Sequence, residues 1–134
     1  MTKLLTLTLL GSAALAAGTI VAARAGPPAD PEAELARILA GRVERPAVAC
    51  VNIRNLGGNR TFGDAIVFGG GMRRIYVNRP AGGCPDLEPG RSLHLRATTG
   101  QVCRGDIVTV VDHVSGTNFG GCGLGDFTPY DRAN

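Results

Sequence analysis

Gly116-Thr-Asn-Phe-Gly-Gly-Cys-Gly-Leu-Gly-Asp-Phe-Thr-Pro129, with the apolar stretch Asp106–Val111 just before it, is the part of the chain whose reading decides the fold. Five glycines, two phenylalanines and Cys122 crowd into fourteen residues. A backbone so rich in glycine turns tightly or approaches its neighbours closely, and a cysteine in its middle can hold it covalently. We expect this run to be a lock that closes the fold, tied through Cys122 to another cysteine.

Upstream of the lock the pattern is that of short strands. Ala47–Arg54 alternates, with Val51 and Ile53 on one face and Cys50, Asn52 and Arg54 on the other. Ala65–Phe68 is apolar throughout, Gly69-Gly70-Gly71 reads as a hairpin loop, and Met72–Arg79 returns. The return strand alternates Ile75 and Val77 against Arg74, Tyr76 and Asn78. Pro80–Gly90, with three prolines and three glycines, is a loop. Ser92–Thr98 alternates Leu93, Leu95 and Ala97 against Ser92, His94 and Arg96. Gln101–Val111 reads as the longest strand, bulged at Gly105, with Ile107–Val111 apolar on both faces and therefore central. One helix, over residues 31–40, precedes all of this. Asp30 is its cap, Pro31 its first residue, and Glu32 and Glu34 favour the positive end of its dipole. Leu35, Ile38 and Leu39 form its apolar stripe and Gly41 stops it. The expected fold is mostly β: a small antiparallel barrel or sandwich of about five to six strands with one short N-terminal helix.

The N-terminus carries a different signal. Lys3 is followed by the apolar run Leu4–Val21 and by Ala23-Arg24-Ala25, a small-x-small cleavage pattern. Residues 1–25 are expected to be an export signal cleaved after Ala25, residues 26–29 a linker, and residues 30–134 a single domain, with no stable membrane insertion after cleavage. The mature chain would hold 109 residues, including 12 Arg and no Lys against 11 Asp and Glu. Both signs are intermingled, so the concentrated basic face of a nucleic-acid binder is lacking. There is no Trp, and only four Phe and two Tyr occur, which leaves a thin core for cross-links to reinforce. Cys50, Cys84, Cys103 and Cys122 all lie in the mature part. An even count in an exported chain reads as two disulfides, each worth on the order of 3 kcal/mol. Three pairings are open.

Cys50-Val-Asn-Ile-Arg, Ala65-Ile-Val-Phe, Ile75-Tyr-Val-Asn-Arg79, Gly83-Cys-Pro-Asp-Leu87, Cys103-Arg-Gly-Asp-Ile107 and Cys122-Gly-Leu-Gly-Asp-Phe127 follow one another in that order. Together they resemble a family of small exported proteobacterial proteins classed as a domain of unknown function. The resemblance spans roughly residues 35–130. It implies a bacterial source, a periplasmic location, a mostly β domain and paired cysteines, and it carries over no functional residue.

Candidate chemistry is sparse. The cysteines are 34, 19 and 19 residues apart, without the close pairs of a zinc site or a C-x-x-C redox motif. Neither a metal nor a cofactor is expected. Cys103, His113 and Asp106 or Asp112 contain the groups of an activated thiolate, but a bridged Cys103 would remove the nucleophile. Gly121-Cys-Gly-Leu-Gly125 is followed by Asp126 and Pro129 rather than by a helix, so it opens no phosphate-binding helix terminus. The remaining candidate is the polar face of two strands, Arg74, Tyr76 and Asn78 beside His94 and Arg96. If those strands pair, guanidinium, phenol and imidazole groups form a patch for carboxylate, phosphate or sugar. The expected function is a non-catalytic binding or envelope-associated module, its partner an envelope protein or a small anionic or polar ligand. The alternative is a small hydrolase or thiol enzyme using His113 or His94.

Overall fold

The computed structural model describes Gly26, residues 29–88 and residues 90–133. The expected export signal and Pro27 and Pro28 of the expected linker lie outside the described residues. One helix, α1 (Pro31–Leu39), is followed by ten strands: β1 (Arg42–Glu44), β2 (Cys50–Asn52), β3 (Asn59–Phe62), β4 (Ala65–Phe68), β5 (Arg74–Asn78), β6 (Arg91–His94), β7 (Gln101–Cys103), β8 (Ile107–Asp112), β9 (Asn118–Gly123) and β10 (Phe127–Arg132). They form three antiparallel sheets, in the orders β1-β10-β5-β4-β3, β6-β8-β9 and β2-β7. The mostly β fold with one helix is as expected. The strands number ten rather than five or six, and the sheets stack like a sandwich without closing a barrel.

The helix obeys its local rules. Asp30 accepts a hydrogen bond from the Glu32 N–H at 3.1 Å, and Ala40 already has extended backbone ahead of Gly41. Leu35, with Ile38 and Leu39 beside it, packs on Phe62, Ala65, Val67, Ile75 and Val77 on the outer face of the five-stranded sheet. The inner face of that sheet presents Ile66, Phe68, Tyr76 and Phe127 to Leu93, Val108 and Val110 of the second sheet, and to Val51 and Val102 of the ribbon. The five-stranded sheet is thus covered on both faces. All four residues of β4 are buried.

That double cover corrects the reading of β5. Its alternation puts Tyr76 and Asn78 opposite Ile75 and Val77 as expected, but the Tyr76 side is core rather than solvent. Tyr76 is 7% exposed and Asn78 0%. A tyrosine and an asparagine can occupy such positions because each finds a partner. The Tyr76 ring meets Phe127 edge-on, at 87° and 6.4 Å between centroids. Asn78 donates to the Gly125 carbonyl at 2.8 Å and accepts from the Gly125 N–H at 2.9 Å. Nor do the two candidate strands pair. β5 lies between β4 and β10, whereas β6 pairs with β8 in the other sheet.

The expected long strand is two strands in different sheets. At Arg104-Gly105-Asp106 the chain turns, with the Asp106 carboxylate accepting from the Cys103 N–H at 2.8 Å. β8 is central in its sheet, but only Val108 and Val110 are buried, and Ile107 is 71% exposed. Ala47–Arg54 shortens to β2, because the Asn52 side chain accepts from the Arg54 N–H and starts a 3-10 turn, Ile53–Asn55. The lock itself supplies β9 and β10, and its glycines matter for close approach. A Cβ on Gly121 would fall 2.6 Å from the Val108 carbonyl oxygen, and one on Gly125 would collide with that of Arg79.

Both disulfides form, Cys50–Cys103 and Cys84–Cys122. The first joins residues directly opposed on β2 and β7. The second ties the loop before β6 to β9, in the middle of the lock. No free cysteine remains, and two disulfides place the chain in an oxidising, extracytoplasmic environment. Among the described residues no helix is long and apolar enough to cross a membrane.

Asn78 gives the sharpest test of the core. Asn78→Leu removes both bonds to Gly125 and leaves its part-buried N–H and C=O without partners, each costing up to roughly 1–3 kcal/mol. Urea unfolding of the oxidised protein should show a loss of about 2–4 kcal/mol, whereas Asn52→Ala at the exposed turn should cost no more than about 1 kcal/mol.

Candidate functional site

The five-stranded sheet extends past the cover of the second sheet at the end formed by β1, β10 and the start of β5. There it opens into a cleft of about 690 Å³. Four arginines line it, Arg45, Arg73, Arg74 and Arg132, with one carboxylate, Asp131. Val43, Met72 and Tyr76 supply apolar surface. Register explains the grouping. Asp131 lies directly across from Arg74 on β5 and from Val43 on β1, and opposed residues of an antiparallel pair share a face. Asp131, Arg74, Tyr76 and Val43 therefore all project to the cleft side.

The charges are organised around Asp131. Arg74 donates to it twice, Nε to Oδ1 at 2.6 Å and Nη2 to Oδ2 at 2.8 Å, in the forked geometry of a strong guanidinium–carboxylate pair. Arg45 donates from Nε to Oδ2 at 3.1 Å, its own backbone N–H being held by the Pro129 carbonyl. The Arg74 hydrogen bonds, then that from Arg45, hold the Asp131 carboxyl at about 2. The same pairing raises Arg74 further above its ordinary range. At the same end of the sheet, Arg42 of β1 is directly opposed to Arg132 of β10. Burial first, and then repulsion from Arg132, lower the pKa of Arg42. Its guanidinium donates to the carbonyls of Arg73 at 3.0 Å, Met72 at 3.2 Å and Tyr130 at 3.4 Å. The backbone is cross-braced there too, the Arg132 N–H donating to the Arg73 carbonyl. Burial and a 2.8 Å bond from its hydroxyl to Glu44 push Tyr130 up.

Arg74 and Arg45 share one carboxylate, so this triad keeps a net positive charge. Arg132 makes no side-chain hydrogen bond or ion pair among the described residues. No group of three or more His, Cys, Asp or Glu side chains converges to hold a metal among them. The other hollows are closer to charge balance. In one of about 490 Å³ beside β3, Arg60 pairs with Glu34 and Arg91 with Glu88.

Of the residues singled out in the sequence, the structure brings Arg74 and Tyr76 into this cleft. Asn78 is core, and His94 and Arg96 stand exposed on and after β6, in the other sheet. His113 is exposed in the turn after β8. The thiolate arrangement is absent: Cys103 is bridged, Asp106 caps its own turn, and Asp112 accepts from the Val114 and Ser115 N–H groups. Those turn bonds, the Ser115 backbone bond first, hold the Asp112 carboxyl below its ordinary range. The sequence reading missed Arg45, Arg132 and Asp131. They belong to β1 and β10 or adjoin them, and β1 is three residues long, too short for alternation to register. Comparison with protein families, with curated proteins and with solved structures returns no match.

Asp131 should report its environment directly. Followed by carboxyl-carbon NMR, it should titrate near 2, and in Arg74→Met the midpoint should climb toward the ordinary value of about 3.9. A folded value below the unfolded one stabilises above about pH 4, and that contribution is lost as pH falls through about 2. Asp131→Asn should therefore lose stability relative to wild type at pH 7, and the gap should close by about pH 2.

Proposed function

We propose that the protein is an exported, non-catalytic binding module of the bacterial periplasm, and that the cleft between β1, β10 and β5 takes a small anionic ligand. The observation that carries this reading is the positive charge of the cleft: Arg74 and Arg45 share a single carboxylate, Asp131, and Arg132 lines the same cleft. Guanidinium groups keep their charge at any physiological pH and present planar arrays of donors, which suit carboxylate and phosphate oxygens. The Arg74–Asp131–Arg45 bridge holds two of the arginines in place before any ligand arrives, which lowers the ordering cost of binding. A volume of about 690 Å³ falls in the range of roughly 300–1,000 Å³ common for small-molecule sites.

Export through a leader cleaved after Ala25 agrees with the two disulfides. The motif order points to a proteobacterial source. An envelope protein offering an acidic side chain would meet the same donors as a free anion. Among the described residues no arrangement favours catalysis. Neither histidine reaches the cleft, and no thiol is free to serve as a nucleophile.

Calorimetric titration of residues 26–134 with inorganic phosphate and with succinate should show saturable binding that weakens as salt is raised. Arg132→Ala combined with Arg45→Ala should weaken it at least about tenfold while changing the melting temperature little, since exposed ion pairs contribute roughly 0–1 kcal/mol. No binding by any anion up to about 10 mM, an affinity under about 3 kcal/mol, would remove this function. Intact mass of protein recovered from the periplasm should correspond to residues 26–134 with all four cysteines closed to alkylation until reduced.

A further inference from the structure

The cleft has an apolar half that anion binding alone leaves without a role. Val43 is 43% exposed and Met72 41% exposed, two of only five large hydrophobic residues exposed among those described. Both line the cleft. Between them and the core stands Tyr76, whose ring packs against Phe127 and faces the same opening. The exposed apolar surface of the cleft is therefore that of Val43 and Met72, with the buried Tyr76 behind it. The arginines stand beside this strip rather than across it: Arg74 is two residues before Tyr76 on the same face of β5, and Arg45 lies beyond the end of β1.

We infer that the cleft's ligand is an amphipathic monocarboxylate, an anionic head on an apolar body such as a medium-length acyl or aryl chain. This rests on the anion-binding reading above and specifies it. Three observations select the class. A cleft of about 690 Å³ is far larger than a bare inorganic anion fills, so the rest of the ligand must occupy it. The exposed surface left for that remainder is Val43 and Met72, which reward the removal of apolar area from water. The head sits close to Asp131, which stays ionised down to about pH 2. A group carrying one charge is repelled less by that carboxylate than a doubly charged phosphate would be. The flat, two-oxygen carboxylate also matches the planar guanidinium fork. In this arrangement Arg45 and Arg132 hold the head and the chain lies along Val43 and Met72 toward Tyr76. Met72, unbranched and polarizable, adapts to bodies of different shape.

Calorimetric titration of residues 26–134 with octanoate, acetate, inorganic phosphate and octanol separates the possibilities. Octanoate is expected to bind at least about tenfold more tightly than acetate or phosphate, given roughly fourfold per buried methylene. Octanol, which lacks the charge, should bind at least about tenfold more weakly than octanoate. Val43→Ser with Met72→Ser should reduce octanoate affinity about tenfold and leave acetate and phosphate unchanged. Arg132→Ala should weaken every anion. If phosphate or acetate binds as tightly as octanoate, the apolar half plays no part and this inference fails, while the anion site stands. If octanol matches octanoate, or no anion binds, the inference and the anion site fall together.

Discussion

Phe127 is fully buried where the layers of the molecule meet, and its packing is the constraint on which the other elements depend. Its ring is tilted on Phe68 at 6.0 Å and receives the edge of Tyr76 at 6.4 Å, within the 4.5–7 Å separations that favour aromatic pairs. On one side its residue is opposite Asn78 of β5, and on the other its backbone exchanges two hydrogen bonds of 2.9 Å with Val48. One residue thereby holds β10 between β5 and the segment leading into β2. Asn78 then reaches across to both backbone groups of Gly125, fixing the turn into β10. The Cys84–Cys122 bridge fastens the other half of the lock, so β9 and β10 leave in defined directions into different sheets.

A chain without tryptophan builds this core by covering one sheet twice. β4 and the centre of β5 are buried on both faces, by α1 outside and by the second sheet and the ribbon inside. Small and branched side chains suffice in such an arrangement because every layer is thin. The disulfides reinforce the elements with least core of their own, a two-stranded ribbon and a loop rich in proline and glycine. Two strands alone are marginal in water, and cross-linking directly opposed residues compensates.

The sequence disclosed those elements whose pattern is local. α1 announces itself through Asp30, Pro31 and a stripe three and four residues apart. The hairpin Ala65–Phe68, Gly69–Gly71 and β5 is plain because strands and loop are contiguous. What stayed hidden depends on distant cover. Alternation in β5 distinguishes two faces but not which is wet, and Tyr76 and Asn78 look like surface until the second sheet lies over them. The break between β7 and β8 was concealed because a turn and a bulge both ask for a glycine at Gly105. β9 went unrecognised as a strand within the glycine-rich lock because glycines that allow strand backbones to approach closely resemble glycines that allow a chain to bend. The cleft was half legible. Arg74 and Tyr76 share a strand face, whereas Arg45, Asp131 and Arg132 join them only through the pairing of β1 and β10, two strands distant in sequence.

The cleft and the core are parts of one surface. Along β10, Phe127, Pro129 and Asp131 point the same way, and along β5 so do Asn78, Tyr76 and Arg74. Moving from the centre of the sheet to its end, the residues pass from fully buried to exposed and charged without a change of face. Asp131 is what lets the arginines gather there. Placing several guanidinium groups together is unfavourable, as the lowered pKa of Arg42 beside Arg132 shows in part, and one carboxylate shared by Arg74 and Arg45 relieves that repulsion without cancelling the whole charge. A carboxylate for each arginine would have balanced the cleft and made it an ordinary surface ion-pair cluster. With one, the fold keeps its arginines in place and leaves a positive excess next to exposed apolar side chains, the two properties that an amphipathic anion complements.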